Sequence, residues 1–132
     1  MRHSHLLAAI AAIAAPIAIV APAQAGTVRS YNAAEFNALQ AQGKPVLIFV
    51  HAPWCPVCRA QTKTIDEVLQ DPAYRDLTVM KIDFDTGKAD WQRFGATQQS
   101  TLIGFHGRRE TSRLAHDTDP AKVKAVLAST LR

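Results

Sequence analysis

Val46-Leu47-Ile48-Phe49-Val50 runs through His51-Ala52-Pro53 into Trp54-Cys55-Pro56-Val57-Cys58. An unbroken apolar run with no alternation suits a central strand covered on both faces, as in a mostly parallel sheet. Beyond Cys55 the spacing turns helical: Ile65, Val68 and Leu69 share a face, and Asp71-Pro72 ends the pattern. Cys55 therefore stands where a buried strand hands over to a helix. The start of a helix points free backbone N–H groups and the positive end of its dipole at the sulfur. Both favour thiolate over thiol and lower the cysteine pKa. Cys58, three residues on, lies on the same helical face and can close a disulfide with Cys55. That geometry suits thiol–disulfide exchange, in which Cys55 attacks a substrate disulfide and Cys58 resolves the mixed disulfide. Run in reverse, the oxidised pair donates its disulfide.

Working outward, Thr27 to Tyr31 can form a short first strand. Asn32 reads as a cap, with Glu35 placed to reach back, and a helix then runs to Gly43. Leu77 to Phe84 reads as a further strand, and Thr86 can cap a short helix through Trp91 and Phe94, both expected in the core. Thr101 to His106 is strand-like, and Gly107-Arg108 can turn it back into Glu110 to Leu114. Asp119-Pro120 opens a last helix with Val123, Val126, Leu127 and Leu131 as its apolar stripe. The order β-α-β-α-β-α-β-β-α predicts an α/β fold, one sheet with helices on both faces.

The chain has 132 residues, 48% hydrophobic and 20% charged, which fits one globular domain and not a disordered one. A formal net charge of +4 without a basic run argues against nucleic-acid binding. The amino-terminal end reads as an address. Met1-Arg2-His3-Ser4-His5 is a short positive head, Leu6 to Ala21 is apolar, and Ala23-Gln24-Ala25 is a small-x-small cleavage pattern. Residues 1–25 are expected to be a cleaved secretory signal peptide, and 26–132 a single exported domain, periplasmic and not inserted in a membrane. An uncleaved anchor is the alternative; Pro16 and the alanine-rich composition suit it poorly. In an exported compartment disulfides persist.

Two cysteines exclude a disulfide-dense scaffold and a four-cysteine metal site in one chain. A purely structural disulfide closing so short a loop would stabilise by only about 2 kcal/mol. A zinc site would need two more ligands, for which His51, His106 and His116 are the candidates, but no paired-histidine motif completes the set.

The stretch from Lys44 to Arg59, centred on Trp54-Cys55-Pro56-Val57-Cys58, resembles the active-site region of the thioredoxin family. Val79 to Asp85 is similar to the family's third strand, and Phe94-Gly95-Ala96-Thr97 with Ser100-Thr101-Leu102-Ile103 to its substrate-facing loop. The resemblance implies a thioredoxin fold with a central mixed, mostly parallel sheet. It also implies a thiol–disulfide oxidoreductase with no cofactor beyond the Cys55–Cys58 disulfide, acting on protein thiols and disulfides. It makes Cys55 the exposed nucleophile, Cys58 the shielded resolving thiol and Trp54 an aromatic wall. The chain is too short for an inserted domain of the DsbA kind. Pro56-Val57 differs from the thioredoxin Gly-Pro, and Cys-Pro-x-Cys-Arg looks more like the reductases of cytochrome c maturation. A monomeric reductase recharged by a membrane electron donor of the DsbD or CcdA type is the reading this supports, with a disulfide-donating oxidase as the alternative.

The sequence also departs from the family. Phe49 stands where many thioredoxins bury an aspartate, which leaves Lys81 without that partner. His51, on the same strand face as Phe49, is a candidate to take over proton transfer to Cys58. Ser100, between Gln99 and Thr101, replaces the family's cis-proline, and a trans Gln99–Ser100 bond is expected. By the same resemblance Ser100 leaves open a non-enzymatic alternative, a dimeric metal or iron–sulfur module with the two cysteines of each chain as ligands. Arg59 and Lys63 add local positive potential, and Asp83 and Asp85 are expected on one face at a solvated strand end.

Overall fold

A computed structural model describes residues 15–20 and 25–132. Residues 1–14 and 21–24, which hold the head of the expected signal peptide and all of its cleavage pattern but Ala25, lie outside the described residues. Residues 15–20 are exposed and carry no secondary structure. No helix among the described residues is long and apolar enough to cross a membrane.

The elements follow in the expected order: β1 Thr27–Ser30, α1 Ala33–Ala41, β2 Pro45–His51, α2 Pro56–Leu69, β3 Thr78–Asp83, α3 Lys88–Arg93, β4 Thr101–His106, β5 Arg109–Ala115 and α4 Pro120–Ser129. A 3₁₀ turn, Pro72–Tyr74, lies between α2 and β3. The strands form one mixed sheet in the order β1-β3-β2-β4-β5. Its parallel pairings are confined to β1–β3 and β3–β2, and β2–β4 and β4–β5 are antiparallel.

β2 lies at the centre because its side chains are apolar on both faces. Leu47 and Phe49 point into a core with Ile65, Leu69, Val123 and Leu127, under α2 and α4. Val46, Ile48 and Val50 point into a second core with Phe36, Met80 and Trp91, under α1 and α3. Helices thus cover both faces, as the alternation-free run requires.

Capping follows the sequence with two exceptions. Asn32 Oδ1 accepts the Glu35 N–H at 2.9 Å, but the Glu35 carboxylate ion-pairs with Arg29 and leaves the reciprocal half of the box unmade. Thr86 does not cap α3. Asp83 Oδ1 takes the Thr86 hydroxyl at 3.0 Å and the backbone N–H groups of Asp85 and Thr86 at 2.9 Å, so Gly87 is left as a cap without a side chain. Asp119 caps α4 through the Ala121 N–H at 2.9 Å, with Pro120 at its first position. The β4–β5 turn rests on Gly107 at φ 57°, a conformation that favours glycine.

Candidate active site

β2 delivers the chain to the carboxyl end of the central strand, and the turn after it places Cys55 as the N-cap of α2. The Cys55 sulfur accepts the Cys58 backbone N–H at 3.2 Å. Pro56 fills the first helical position, where it has no N–H to give. Cys58, one turn into α2, faces the core. Both cysteines are free thiols, and both are covered: Cys55 is 1% exposed and Cys58 0%. Cys55 is thus less open than the resemblance implies, because Ser100 and the first turn of α2 close over it. Val57 packs partly buried against the same core.

Ser100 comes from the loop before β4 and is fully buried. Its Oγ lies 3.1 Å from the Cys55 sulfur and 3.1 Å from the Cys58 sulfur. Its backbone is left-handed at φ 62°, and no peptide bond among the described residues is cis, so the Gln99–Ser100 bond is trans as expected. Three hydrogen bonds hold this unusual conformation. The Ser100 N–H donates to the Val50 carbonyl at 2.7 Å, and the Ser100 carbonyl accepts the His116 N–H at 3.0 Å and Gln61 Nε2 at 3.1 Å. Thr101 Oγ1 closes the loop by donating to the Gln98 carbonyl at 2.8 Å, while Gln99 is half-buried and Gln98 exposed.

Gln61 is a residue that reading the sequence misses. It is fully buried on α2, and its Nε2 also donates to the Asp117 carbonyl at 3.0 Å, which ties the loop before β4 to the loop before α4. Its Oε1 is buried without a partner. The available signal is a polar residue at core spacing, between Cys58 and Ile65 on the buried stripe of α2.

The two thiols are driven apart electrostatically. Burial raises the Cys55 pKa, but the Cys58 thiol, the Ser100 hydroxyl and the N–H groups of Cys58 and Val57 outweigh it and hold Cys55 below the usual thiol value. Burial pushes Cys58 up and the neighbouring Cys55 adds to the rise, against the opposite pull of the Ser100 hydroxyl and the Ala52 backbone. This assigns thiolate character to Cys55 and proton retention to Cys58.

The other expected residues lie around this centre. Trp54 is 54% exposed beside the thiols, and its Nε1 donates to Asp85 at 2.8 Å. β3 ends at Asp83, so Asp85 belongs to the following turn and does not share a strand face with it. Arg59 Nη1 donates to the Pro53 carbonyl at 3.5 Å. His51 sits edge-on to Phe49, ring centroids 5.2 Å apart, and lines an open groove of about 630 Å³ with Lys81, Tyr31 and Asp83. Burial and the charge of Lys81 lower its pKa against the opposite pull of Asp83, so it is neutral at pH 7. Among the described residues no hydrogen bond joins His51 to either thiol. No group of three or more His, Cys, Asp or Glu residues among them could hold a metal ion. His106 is engaged at the far end of β4, its Nδ1 2.7 Å from the Thr130 carbonyl.

Comparison with known proteins agrees with this geometry. Residues 19–124 match the AhpC/TSA family. The thioredoxin of Mycobacterium bovis is 30% identical over 104 residues, which are 79% of this chain and 85% of that protein. The thioredoxin of Alicyclobacillus acidocaldarius is 32% identical over 89 residues, 67% of this chain and 84% of its own. The crystal structure of Trxlp from Edwardsiella tarda superposes with a TM-score of 0.71 at 43% identity, over 75% of this chain and 97% of that one.

Proposed function

By its AhpC/TSA match and its thioredoxin relatives the chain belongs to the thioredoxin family, and from that premise we propose that it is an exported reductase of protein disulfides. The observation that carries this reading is the pair itself: Cys55 capping α2 with a lowered pKa, and Cys58 buried behind it with a raised one. The Cys55 thiolate attacks one sulfur of a substrate disulfide and expels the other as a thiolate. Cys58 then attacks the Cys55 sulfur, releases the second substrate thiolate and leaves a Cys55–Cys58 disulfide. Substrate gains two electrons and the pair loses them, so a donor must re-reduce it. A membrane conduit of the DsbD or CcdA type suits an exported protein, and the leader pattern of residues 1–25 supports that address.

Two observations support the direction of flow. The relatives named above are thioredoxins, and burial opposes the Cys55 thiolate, which limits how far the reduced form is stabilised; strong oxidants depend on that stabilisation. Insulin reduction driven by dithiothreitol tests the reading. The protein is expected to accelerate it, Cys55→Ser to abolish the acceleration, and Cys58→Ser to accumulate a mixed disulfide with the substrate. Equal activity in wild type and Cys55→Ser would overturn the proposal.

A further inference from the structure

We propose that Ser100 is a catalytic residue whose single hydroxyl proton serves the two sulfurs in turn, donated to Cys55 during attack and to Cys58 during resolution. The proposal rests on the oxidoreductase reading of the pair. Its basis is the placement of one O–H equidistant from both reacting atoms, at 3.1 Å from each sulfur, in a site closed to water. A hydroxyl carries one donor and two acceptor lone pairs and rotates to suit its partners. In the reduced protein the O–H and the Cys58 S–H both donate to the Cys55 thiolate. Once Cys55 is bound in the mixed disulfide it carries no charge, and the O–H turns to Cys58.

Cys58 needs that help. No carboxylate or imidazole among the described residues hydrogen-bonds to it, Phe49 and the other members of its core are apolar, and Cys55 is the one charged group acting on it. Burial, the largest cause of its raised pKa, persists when the Cys55 charge is gone and leaves it protonated at the moment it must attack. In the resolving step the Cys58 proton passes to the released substrate thiolate, or to buffer where that thiolate is too weak a base to hold it. Cys58 sulfur bonds to Cys55 sulfur, the bond from Cys55 to the substrate breaks, and its electron pair leaves on the second substrate sulfur. The Ser100 O–H stabilises the Cys58 thiolate that forms on the way, and the hydroxyl is unchanged at the end. The rotation requires Oγ to stay put while the proton moves. The left-handed backbone, held by Val50, His116 and Gln61, supplies this, with Gln61 as a positioning residue.

The test is the reaction of the reduced protein with dithiobis(nitrobenzoate), followed by stopped flow. Release of the first coloured thiolate reports attack by Cys55, and release of the second reports resolution by Cys58. Losing a hydrogen bond to a charged sulfur reduces the thiolate fraction by about tenfold or more. The accompanying rise in nucleophilicity recovers about half of that on a logarithmic scale, so a net slowing of about threefold is expected in each phase. Ser100→Ala keeps Cβ and removes only the hydroxyl. It is expected to slow both phases at pH 7 and to match or exceed wild type at alkaline pH, where both thiols are ionised. Ser100→Gly, which also relieves the backbone, is expected to behave as Ser100→Ala does. Slowing of the first phase alone, unchanged rates in both, or recovery of wild-type rates by Ser100→Gly would each overturn the role of the hydroxyl and leave the oxidoreductase reading standing. A wild-type protein that releases no second thiolate would instead overturn the oxidoreductase reading, and this proposal with it.

Discussion

Replacing Gln61 with glutamate exchanges one atom and tests how the site is held together. Gln61 is fully buried, its Nε2 donates to the Ser100 and Asp117 carbonyls at 3.1 and 3.0 Å, and its Oε1 has no partner. In Gln61→Glu a protonated carboxyl can keep one of the two bonds, a loss of about 1 kcal/mol. An ionised carboxyl would set a buried negative charge against two carbonyl oxygens, so the folded protein holds the proton and the new group's pKa rises above its unfolded value of about 4.3. The sign follows: below about pH 4.3 both states are protonated and only the hydrogen-bond loss remains. Above it the unfolded chain ionises and the folded one does not, so the deficit grows by about 1.4 kcal/mol per pH unit until the folded pKa is reached. The expected destabilisation is about 1 kcal/mol at pH 4 and about 4–5 kcal/mol at pH 7 if the folded carboxyl is still protonated there. Urea unfolding of the reduced protein measures it, with Gln61→Leu as a control whose deficit does not vary with pH. An equal deficit for Gln61→Glu at the two pH values would refute the reasoning.

Other outcomes follow from the same geometry. Iodoacetamide alkylation of Cys55 in the Cys58→Ser protein should titrate below an unperturbed thiol, losing rate as pH falls through the lowered pKa; an ordinary thiol profile would contradict the site description. His51→Phe should leave the pH dependence of disulfide exchange unchanged in shape, because no hydrogen bond joins the imidazole to either thiol; a flattened profile near neutrality would restore it as the proton carrier. Asp119→Ala removes the cap of α4 and should lower stability by about 1 kcal/mol in urea titration, with insulin reduction unaffected.

The fold is legible because its central features are local. An unbroken apolar β2 can only sit between two layers, and Asp119-Pro120 and Asn32 mark helix starts by their chemistry alone. The dithiol is legible for the same reason, since a cysteine at a strand-to-helix junction meets free N–H groups whatever the rest of the chain does. What stays hidden depends on contacts between segments distant in sequence. Ser100 is recognisable as a departure at the loop, but that its hydroxyl spans both sulfurs requires β4 to pair with β2. Gln61 joins two loops that are neighbours only after β5 has paired with β4 and α2 has packed on α4. Asp85 looks like a solvated acid until the turn after β3 brings it to Trp54. Thr86 reads as a cap because nothing local reveals that Asp83 will take its hydroxyl.

As proposed above, Cys55 and Cys58 form a redox pair that delivers electrons to protein disulfides. Equilibrating the protein against dithiothreitol and glutathione buffers and counting free thiols by mass after alkylation gives its reduction potential directly. A two-electron couple near the thioredoxin value of about −270 mV is expected. A value near about −120 mV, that of a strong disulfide donor, would contradict the proposal.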